Sequence, residues 1–440
     1  MATLVVSTGW ALQARAIDPS QVEYRRDADR LFWFVQISDS HITLGKPSRI
    51  ENLRWAAEAA INHMNAEFVV HTGDIVDHTN GANYPLQDVE CYPEEWAEYR
   101  AVVERWATPQ NWFDLPGNHE QYSDGDLSCY LEGSIQGEFS GQTQQAWLRQ
   151  FSFGKYLFVG MATCGEDGRR YPIDNANLTD DELEFLETAL TQHADANLAF
   201  VFGHHPLTGY NQRTYLAGED RDRFVEMMIR HGVSSYGYSH TTYAAMGLYE
   251  SLVLIDLGPL KGERERDFAL YTVDGNGFRV RQHDVGAWPI AQITAPLDID
   301  FAGANPYDYP VAVGSNSNRV RAVAFDPEGI ASVRFRADDG PWLAMDQVAD
   351  HVFEGDWNTI GVDPGLHSLL LEVMGGSGTA TDAIRVEVRV TECWDGLDND
   401  GNRQVDYPRD AGCTSKSDDL EHGMRRPRTG PTDPGSRLLK

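Results

Sequence analysis

Short apolar runs that stop abruptly in polar clusters set the pattern of the first half of the chain. Leu31–Ile37 (LFWFVQI) has strand length and ends in Ser38-Asp39-Ser40-His41, which predicts a buried strand feeding a loop. Ile50, Leu53, Ala57, Ala60, Ile61 and Met64 then recur at helical spacing. Phe68-Val69-Val70 follows and runs into His71-Thr72-Gly73-Asp74, completing a βαβ unit. The pattern repeats with a helical stripe of Trp96, Tyr99, Val103 and Trp106, after which Trp112-Phe113-Asp114-Leu115 leads into Pro116-Gly117-Asn118-His119-Glu120. Thr179 and Glu182 have capping-box spacing ahead of Leu183, Leu186 and Leu190, and Leu198–Phe202 then ends in Gly203-His204-His205-Pro206. A last helix around 224–229 stops at Gly232, and Ser234-Ser235-Tyr236 leads to Gly237-Tyr238-Ser239-His240. Right-handed crossovers put the carboxyl ends of successive parallel strands on one edge, where open α/β folds place their ligands, so five polar clusters are predicted to converge. Residues 121–150, rich in Gly, Ser, Gln and acidic side chains without clear periodicity, are expected to form a cap over that edge.

Beyond Trp288-Pro289 the pattern changes to short alternating runs at 320–324, 332–336, 367–373 and 384–390, separated by Gly, Asp and Pro turns. This predicts an all-β sandwich of the size of an immunoglobulin-like module. From residue 392 the chain turns acidic and Gly-rich, then ends in Pro, Gly and Arg without periodicity. The expected organisation is a segment at 1–30, an α/β domain at 31–287 with its cap at about 121–150, a β-sandwich at 288–391, an acidic loop at 392–421 and a disordered tail at 422–440. A length of 440 residues agrees, since it exceeds what one hydrophobic core organises.

Composition narrows the function classes. With 41% hydrophobic and 11% aromatic residues the bulk of the chain folds. A formal charge of −31 repels phosphate backbones, which disfavours nucleic acid and favours a small molecule as partner. No apolar run reaches the ~18 residues that span a bilayer, so no membrane anchor is expected. Ala14-Arg15-Ala16 resembles a cleavage site, but the stretch before it lacks a positive start and a long apolar run, so 1–30 reads as a signal remnant at most. The five cysteines form no Cys-x-x-Cys pair; Cys393 and Cys413 flank the acidic loop, and either close it in an oxidising compartment or stay free thiols.

A divalent ion that activates water for attack on phosphorus takes carboxylate, imidazole and carbonyl-oxygen ligands, ideally with a second ion about 3.5–4 Å away. Asp39-x-His41, Gly73-Asp74-x-x-Asp77, Gly117-Asn118-His119-Glu120, Gly203-His204-His205 and Gly237-x-x-His240 supply that inventory, each after a predicted strand. One such piece arises easily by chance. The ordered set resembles the calcineurin-like metallophosphoesterases over roughly 31–284. The resemblance implies a four-layer α/β/β/α sandwich, one or two divalent transition metals such as Mn, Fe or Zn, and hydrolysis of a phosphomonoester or phosphodiester by metal-activated water. It further implies that Asp39, His41 and His240 bind a first metal, that Asp74 bridges, and that Asn118 and His204 bind a second. His119 would protonate the leaving oxygen as general acid, with Asp77 orienting it. The region after 258, followed by an immunoglobulin-like module, is similar to a subgroup of membrane phosphoesterases with that domain order.

One departure matters. The family's last motif is Gly-His-x-His, and here Tyr238 replaces its first His. Three outcomes stay open: a Tyr238 ligand, a second site with fewer protein ligands, or one retained metal. The weakened second site is favoured; His205 is a candidate to compensate, but beside His204 it would project differently and is expected to be structural, while His71 and His78 are expected to be bystanders or to support the ligands from behind. In the acidic loop, Asp398, Asp400, Asn402 and Asp406 resemble calcium loops found near the carboxyl ends of some bacterial surface proteins, with a solvated acidic turn as the alternative. An extracellular, periplasmic or cell-surface location is expected, with the cytoplasm as alternative. The rival function is a degenerate phosphoesterase scaffold acting in surface binding or adhesion.

Overall fold

The computed structural model describes residues 30–78, 91–123, 126–164, 176–207, 215–241, 243–262, 266–275, 277–300, 311–316 and 318–390, with Gln404 and Arg409 beyond them. The signal-like segment, the Cys393 and Cys413 bracket, the calcium reading at Asp398, Asp400, Asn402 and Asp406, and the tail lie outside the described residues.

The first sheet contains β1 (Leu31–Ile37), β2 (Val69–His71) and β3 (Trp112–Asp114) in parallel. Between them run α1 (Pro47–Glu58), continued by a π-helical turn at Ala59–His63, and α2 (Pro93–Val103). After β3 come three short helices, α3 (Asn118–Ser123), α4 (Ser128–Gly133) and α5 (Ile135–Ser140). The second sheet is built from β4 (Gln145–Phe151), β5 (Gly154–Gly160), β6 (Leu198–Phe202), β7 (Ser235–Tyr238), β8 (Ala245–Tyr249) and β9 (Leu252–Asp256) in the order β4-β5-β6-β7-β9-β8. Its crossover helices are α6 (Asp180–Gln192) and α7 (Gly218–Arg230). The chain then returns to the first sheet through β10 (Asp267–Asp274) and β11 (Gly277–Asp284), giving the order β11-β10-β1-β2-β3.

Strands buried on both faces explain the continuous apolar runs. Phe32, Phe34, Phe68, Val70 and Phe113 meet Phe158, Phe200 and Phe202 between the sheets, with Phe34 stacked on Phe68 at 4.7 Å and on Tyr271 at 4.6 Å. Each such phenylalanine contributes roughly 1.5–3 kcal/mol by burial. The alternate residues Val35 and Ile37 face Leu53, Ala57, Trp96 and Tyr99 of α1 and α2. Leu157 and Val159 face Leu183, Leu186, Phe224 and Met228 of α6 and α7. Helices, sheet, sheet and helices therefore stack as four layers, as expected. The capping box is formed: the Thr179 hydroxyl accepts from the Glu182 backbone, and the Glu182 carboxylate accepts from the Thr179 backbone.

Residues 121–150 differ from the expected cap. Their described part is α4, α5 and β4, packed beside α2 and β3. The Asp114 carboxylate accepts the backbone N–H groups of Ile135 and Gln136 at 2.8 Å, the Tyr130 hydroxyl donates to the Asp114 carbonyl at 2.7 Å, and Cys129 is joined to Cys91 by a disulfide. Helices of six residues carry too few turns to show a period, so anchoring by side chains replaces amphipathic patterning.

The remaining strands are β12 (Ile290–Ala295), β13 (Val311–Ala312), β14 (Asn318–Phe325), β15 (Ile330–Ala337), β16 (Leu343–Ala344), β17 (Asp346–Ala349), β18 (Val352–Trp357), β19 (Gly365–Gly375) and β20 (Gly378–Arg389). They form two sheets, β12-β14-β18-β17 and β13-β20-β19-β15-β16, the A-B-E-D and G-F-C neighbourhoods of an immunoglobulin-like sandwich. No helix among the described residues is long and apolar enough to cross a membrane.

Candidate metal centre

All five polar clusters leave the carboxyl ends of parallel strands. β1 delivers Asp39 and His41, β2 delivers Asp74 and Asp77, β3 delivers Asn118 and His119, β6 delivers His204 and His205, and β7 delivers His240. Asp39 (φ 49°), His41 (φ 42°), Asp74 (φ 52°) and His240 (φ 67°) adopt left-handed backbone, a strain of order 1–3 kcal/mol each that persists only where surroundings enforce it. Here the enforcement is visible. Asp39 N–H donates to the Gly73 carbonyl (3.0 Å), and His41 N–H donates to the Asp74 carbonyl (2.9 Å). The buried Glu120 carboxylate accepts from the backbone N–H groups of Asp74, Ile75, Val76 and Gly117 at 2.7–3.1 Å. Gly73 (φ 93°) has no room for a side chain, since a Cβ there would lie 2.8 Å from His204 Nδ1.

Asp74 is the centre of the cluster. Its Oδ2 lies 3.2 Å from His41 Nε2, 3.3 Å from His204 Nε2 and 3.9 Å from His119 Nε2. Asp39 Oδ1 is 3.4 Å from His41 Nε2, while Asp39 Oδ2 accepts from the Ser239 hydroxyl at 2.5 Å. His204 donates from Nδ1 to the Thr72 carbonyl (2.8 Å), which turns its Nε2 toward Asn118 Oδ1 (3.0 Å) and His240 Nδ1 (3.1 Å). Three groups of possible metal ligands overlap here: Asp39, Asp74 and His204; His41, Asp74 and His119; His204, His205 and His240.

The electrostatics suit a cation. Burial alone would raise the Asp74 carboxyl, but the imidazoles of His204, His119 and His41 hold it well below the usual carboxylate range. Burial and the Lys261 charge push the His41 imidazole down, yet Asp39 and Asp74 prevail and raise it to about 10. His204 is raised against burial to about 9, chiefly by Asp74. A field that stabilises positive charge on two buried imidazoles also draws metal ions. The Lys261 ammonium answers to it, reaching to 2.7 Å from His41 Nε2. Oxygen and nitrogen donors in this mixture fit a divalent transition metal.

Asp77 holds the His119 ring through two atoms, its backbone carbonyl 2.9 Å and its carboxylate 3.4 Å from His119 Nδ1, and the same carboxylate meets His41 Nδ1 at 3.0 Å and Arg49 at 3.0 Å. Burial lowers the His119 imidazole to about 4 despite Asp74 and Asp77. Tyr238 packs in the core beside α6 and α7, its ring stacked on Tyr236 at 5.3 Å, and no hydrogen bond joins its hydroxyl to a described residue of the cluster. His71 Nε2 pairs with the Ser40 hydroxyl at 2.8 Å, and His78 is buried with its ring 6.0 Å from Trp96. Glu120 and Lys261 had no role in the sequence reading. An acidic residue directly after Asn118-His119 was the available signal for the first; nothing local marked the second.

Residues 32–242 match the family described as calcineurin-like phosphoesterase. Transmembrane protein 62 of Mus musculus is 21% identical over 371 residues, covering 81% of this chain and 55% of that protein. The Arabidopsis thaliana protein named "Putative metallophosphoesterase" is 27% identical over 239 residues, covering 50% of this chain and 31% of that protein. The chain thus spans about half the length of the first of these relatives and a third of the second. Among solved structures, a dimetal phosphatase from Danio rerio aligns with TM-score 0.47 and 14% identity over 57% of this chain and 95% of that one. The ordered motifs, the four-layer fold and the family match converge: residues 32–242 of this chain are a calcineurin-like phosphoesterase domain, of a family of metal-dependent enzymes.

Proposed function

We propose that the chain hydrolyses a phosphate ester, mono- or diester, of a small molecule at this cluster. The observation that carries the reading is the convergence on Asp74 Oδ2 of His41 Nε2 at 3.2 Å and His204 Nε2 at 3.3 Å from two different sheets, a geometry suited to one carboxylate shared by two cations. Asp39, His41 and Asp74 would hold one ion; Asp74, Asn118 and His204 would hold the other, with His240 beside them. Divalent cations supply a nucleophilic water at neutral pH and neutralise charge on the phosphoryl oxygens. The protein's own part is to keep the donors fixed by the strained loops and by Glu120, and to move a proton. His119 is anchored through Nδ1 on the Asp77 carbonyl, leaving Nε2 3.9 Å from Asp74 Oδ2 to face the leaving oxygen. Burial pushes that imidazole down, and the negative charge of an arriving phosphate ester acts in the opposite direction. A chain charge of −31 supports a small substrate over nucleic acid. The Cys91–Cys129 disulfide supports an oxidising, extracytoplasmic location.

The test is chelation followed by re-addition of Mn, Fe or Zn ions, with phosphatase and phosphodiesterase substrates assayed at each step. Activity should vanish and return with metal. Asp74→Asn should lose more than a hundredfold, beyond the ~10–100-fold typical of residues that only support ligands. Activity that survives chelation, or an Asp74→Asn chain as active as the parent, sinks the reading.

A further inference from the structure

We propose that His205 is itself a metal ligand, so that His204, His205 and His240 form a nitrogen-rich cation pocket on the side of the cluster where Tyr238 offers no imidazole. The inference deepens the metal-dependent reading above and rests on it. One ring nitrogen of each of the three histidines lies within 4.8 Å of the other two. The rings stand 4.9 Å apart for His204 and His205, 4.8 Å for His205 and His240, and 5.0 Å for His204 and His240.

His205 is fully buried, and its Nε2 has no hydrogen-bond partner among the described residues. A buried polar atom left unpaired destabilises the fold, a cost that a merely structural histidine has no reason to carry and that a metal bond removes. The other edge of the ring is tied down. Nδ1 lies 3.1 Å from the Thr163 hydroxyl, which also accepts the backbone N–H groups of His204 and His205 at 3.0 Å each. An imidazole anchored through one nitrogen and presenting the other is how proteins orient a metal-binding histidine.

Tyr238 lies outside this pocket. Its ring is stacked on Tyr236, and the Tyr236 hydroxyl donates to the His205 carbonyl at 2.7 Å, so the tyrosine pair supports the backbone of His205. Three imidazoles with the Asn118 amide oxygen and the Asp74 carboxylate nearby suit a borderline cation such as zinc better than magnesium or calcium.

Zinc titration of the metal-stripped full chain, read by calorimetry and by elemental analysis after dialysis, tests this without an activity assay. The wild-type chain is expected to bind two zinc ions. His205→Ala and His205→Gln should retain one and bind the other at least tenfold more weakly, and Tyr238→Phe should retain both. Circular dichroism of the zinc-free variants checks that they fold; His205→Gln keeps the ring's volume and a partner for Thr163 should His205→Ala fail. Two ions held with unchanged affinity by a folded His205 variant overturn the inference, as does loss of an ion in Tyr238→Phe. A wild-type chain that binds one zinc also overturns it and leaves metal-dependent hydrolysis standing, whereas one that binds none removes both.

Discussion

At the scale of single residues, the cluster separates side chains placed to hold a cation from those that position them. His119 sits between the roles: its backbone N–H donates to Asp74 Oδ1 at 3.0 Å, while its mostly buried ring is anchored on Asp77. A proton donor matters in proportion to how badly the leaving group needs the proton. His119→Ala should therefore slow hydrolysis of an ester of a simple alcohol by ~10²–10⁴-fold, the usual worth of a general acid. It should slow p-nitrophenyl phosphate, whose leaving group departs as an anion, far less. Steady-state kinetics on the two substrates with metal content held equal checks this; equal losses on both would show that the ring acts through the metal site instead. The donors at the ends of β1, β2, β3, β6 and β7 were legible because each follows an apolar run in a fixed order, whereas Lys261, 2.7 Å from His41 Nε2, follows none. Asp77 was legible as a member beside His119, but only coordinates show that its carboxylate also turns to His41 and Arg49.

At the scale of elements, the strands deliver the ligands but the loops after them hold their geometry. Glu120, in the first turn of α3, accepts four backbone N–H groups from the β2 and β3 loops and so locks the left-handed Asp74 to the rest of the sheet. Replacing it with Ala leaves those donors buried without an acceptor, at roughly 1–3 kcal/mol for each that water cannot reach. Glu120→Ala should lower unfolding stability by about 3 kcal/mol or more and weaken metal binding, although its carboxylate faces backbone N–H groups. Urea denaturation with and without metal measures both, and a variant as stable as the parent would deny the clamp. Apolar run, helical stripe and capping box foretold β1, α1, β2, α2, β6 and α6, because burial on both faces of a strand and one face of a helix leaves a period. α4 and α5 left none: they are held by the Asp114 carboxylate and by a disulfide whose partners stand 38 residues apart.

At the scale of the molecule, the β-sandwich is fastened to the phosphoesterase fold by buried charge. Asp382 of β20 pairs with Arg279 and, at 3.0 Å, with Arg281 of β11, and accepts the Ile293 backbone N–H at 2.7 Å. Arg321 of β14 pairs with Asp274 of β10, which also accepts from the Thr294 hydroxyl at 2.6 Å. Trp33 meets Phe325 edge-on at 5.5 Å, so apolar packing is continuous across the junction. A shared core and a shared ion network predict that the two parts unfold together. Asp382→Ala strands the buried Arg279 guanidinium, which costs roughly 3–5 kcal/mol for a broken buried pair. It should split the single calorimetric transition in two; one unsplit transition at the parent temperature would show that the apolar contact alone couples the parts.

His283, on β11 against Phe268 and Gln292, gives the same junction a pH dependence. Burial and the neighbouring Arg281 charge push its imidazole down to about 3, whereas in the unfolded chain it titrates near 6.5. Below about 6.5 the unfolded chain therefore takes up a proton that the folded chain refuses, so the contribution to stability is complete above that pH and drains away as pH falls toward 3. Asp382, held below the usual carboxylate range by its arginines against burial, adds a second loss that begins only below about 4. Melting temperatures of the metal-loaded chain should thus decline from pH 6.5 downward, with a steeper fall under pH 4. His283→Gln removes the first of these and keeps an amide against Gln292, so its melting temperature should vary less than the parent's between pH 6.5 and 4.5. Parallel curves for parent and variant across that interval would show that His283 is protonated in the folded chain, and that the junction owes its acid sensitivity to the carboxylates alone.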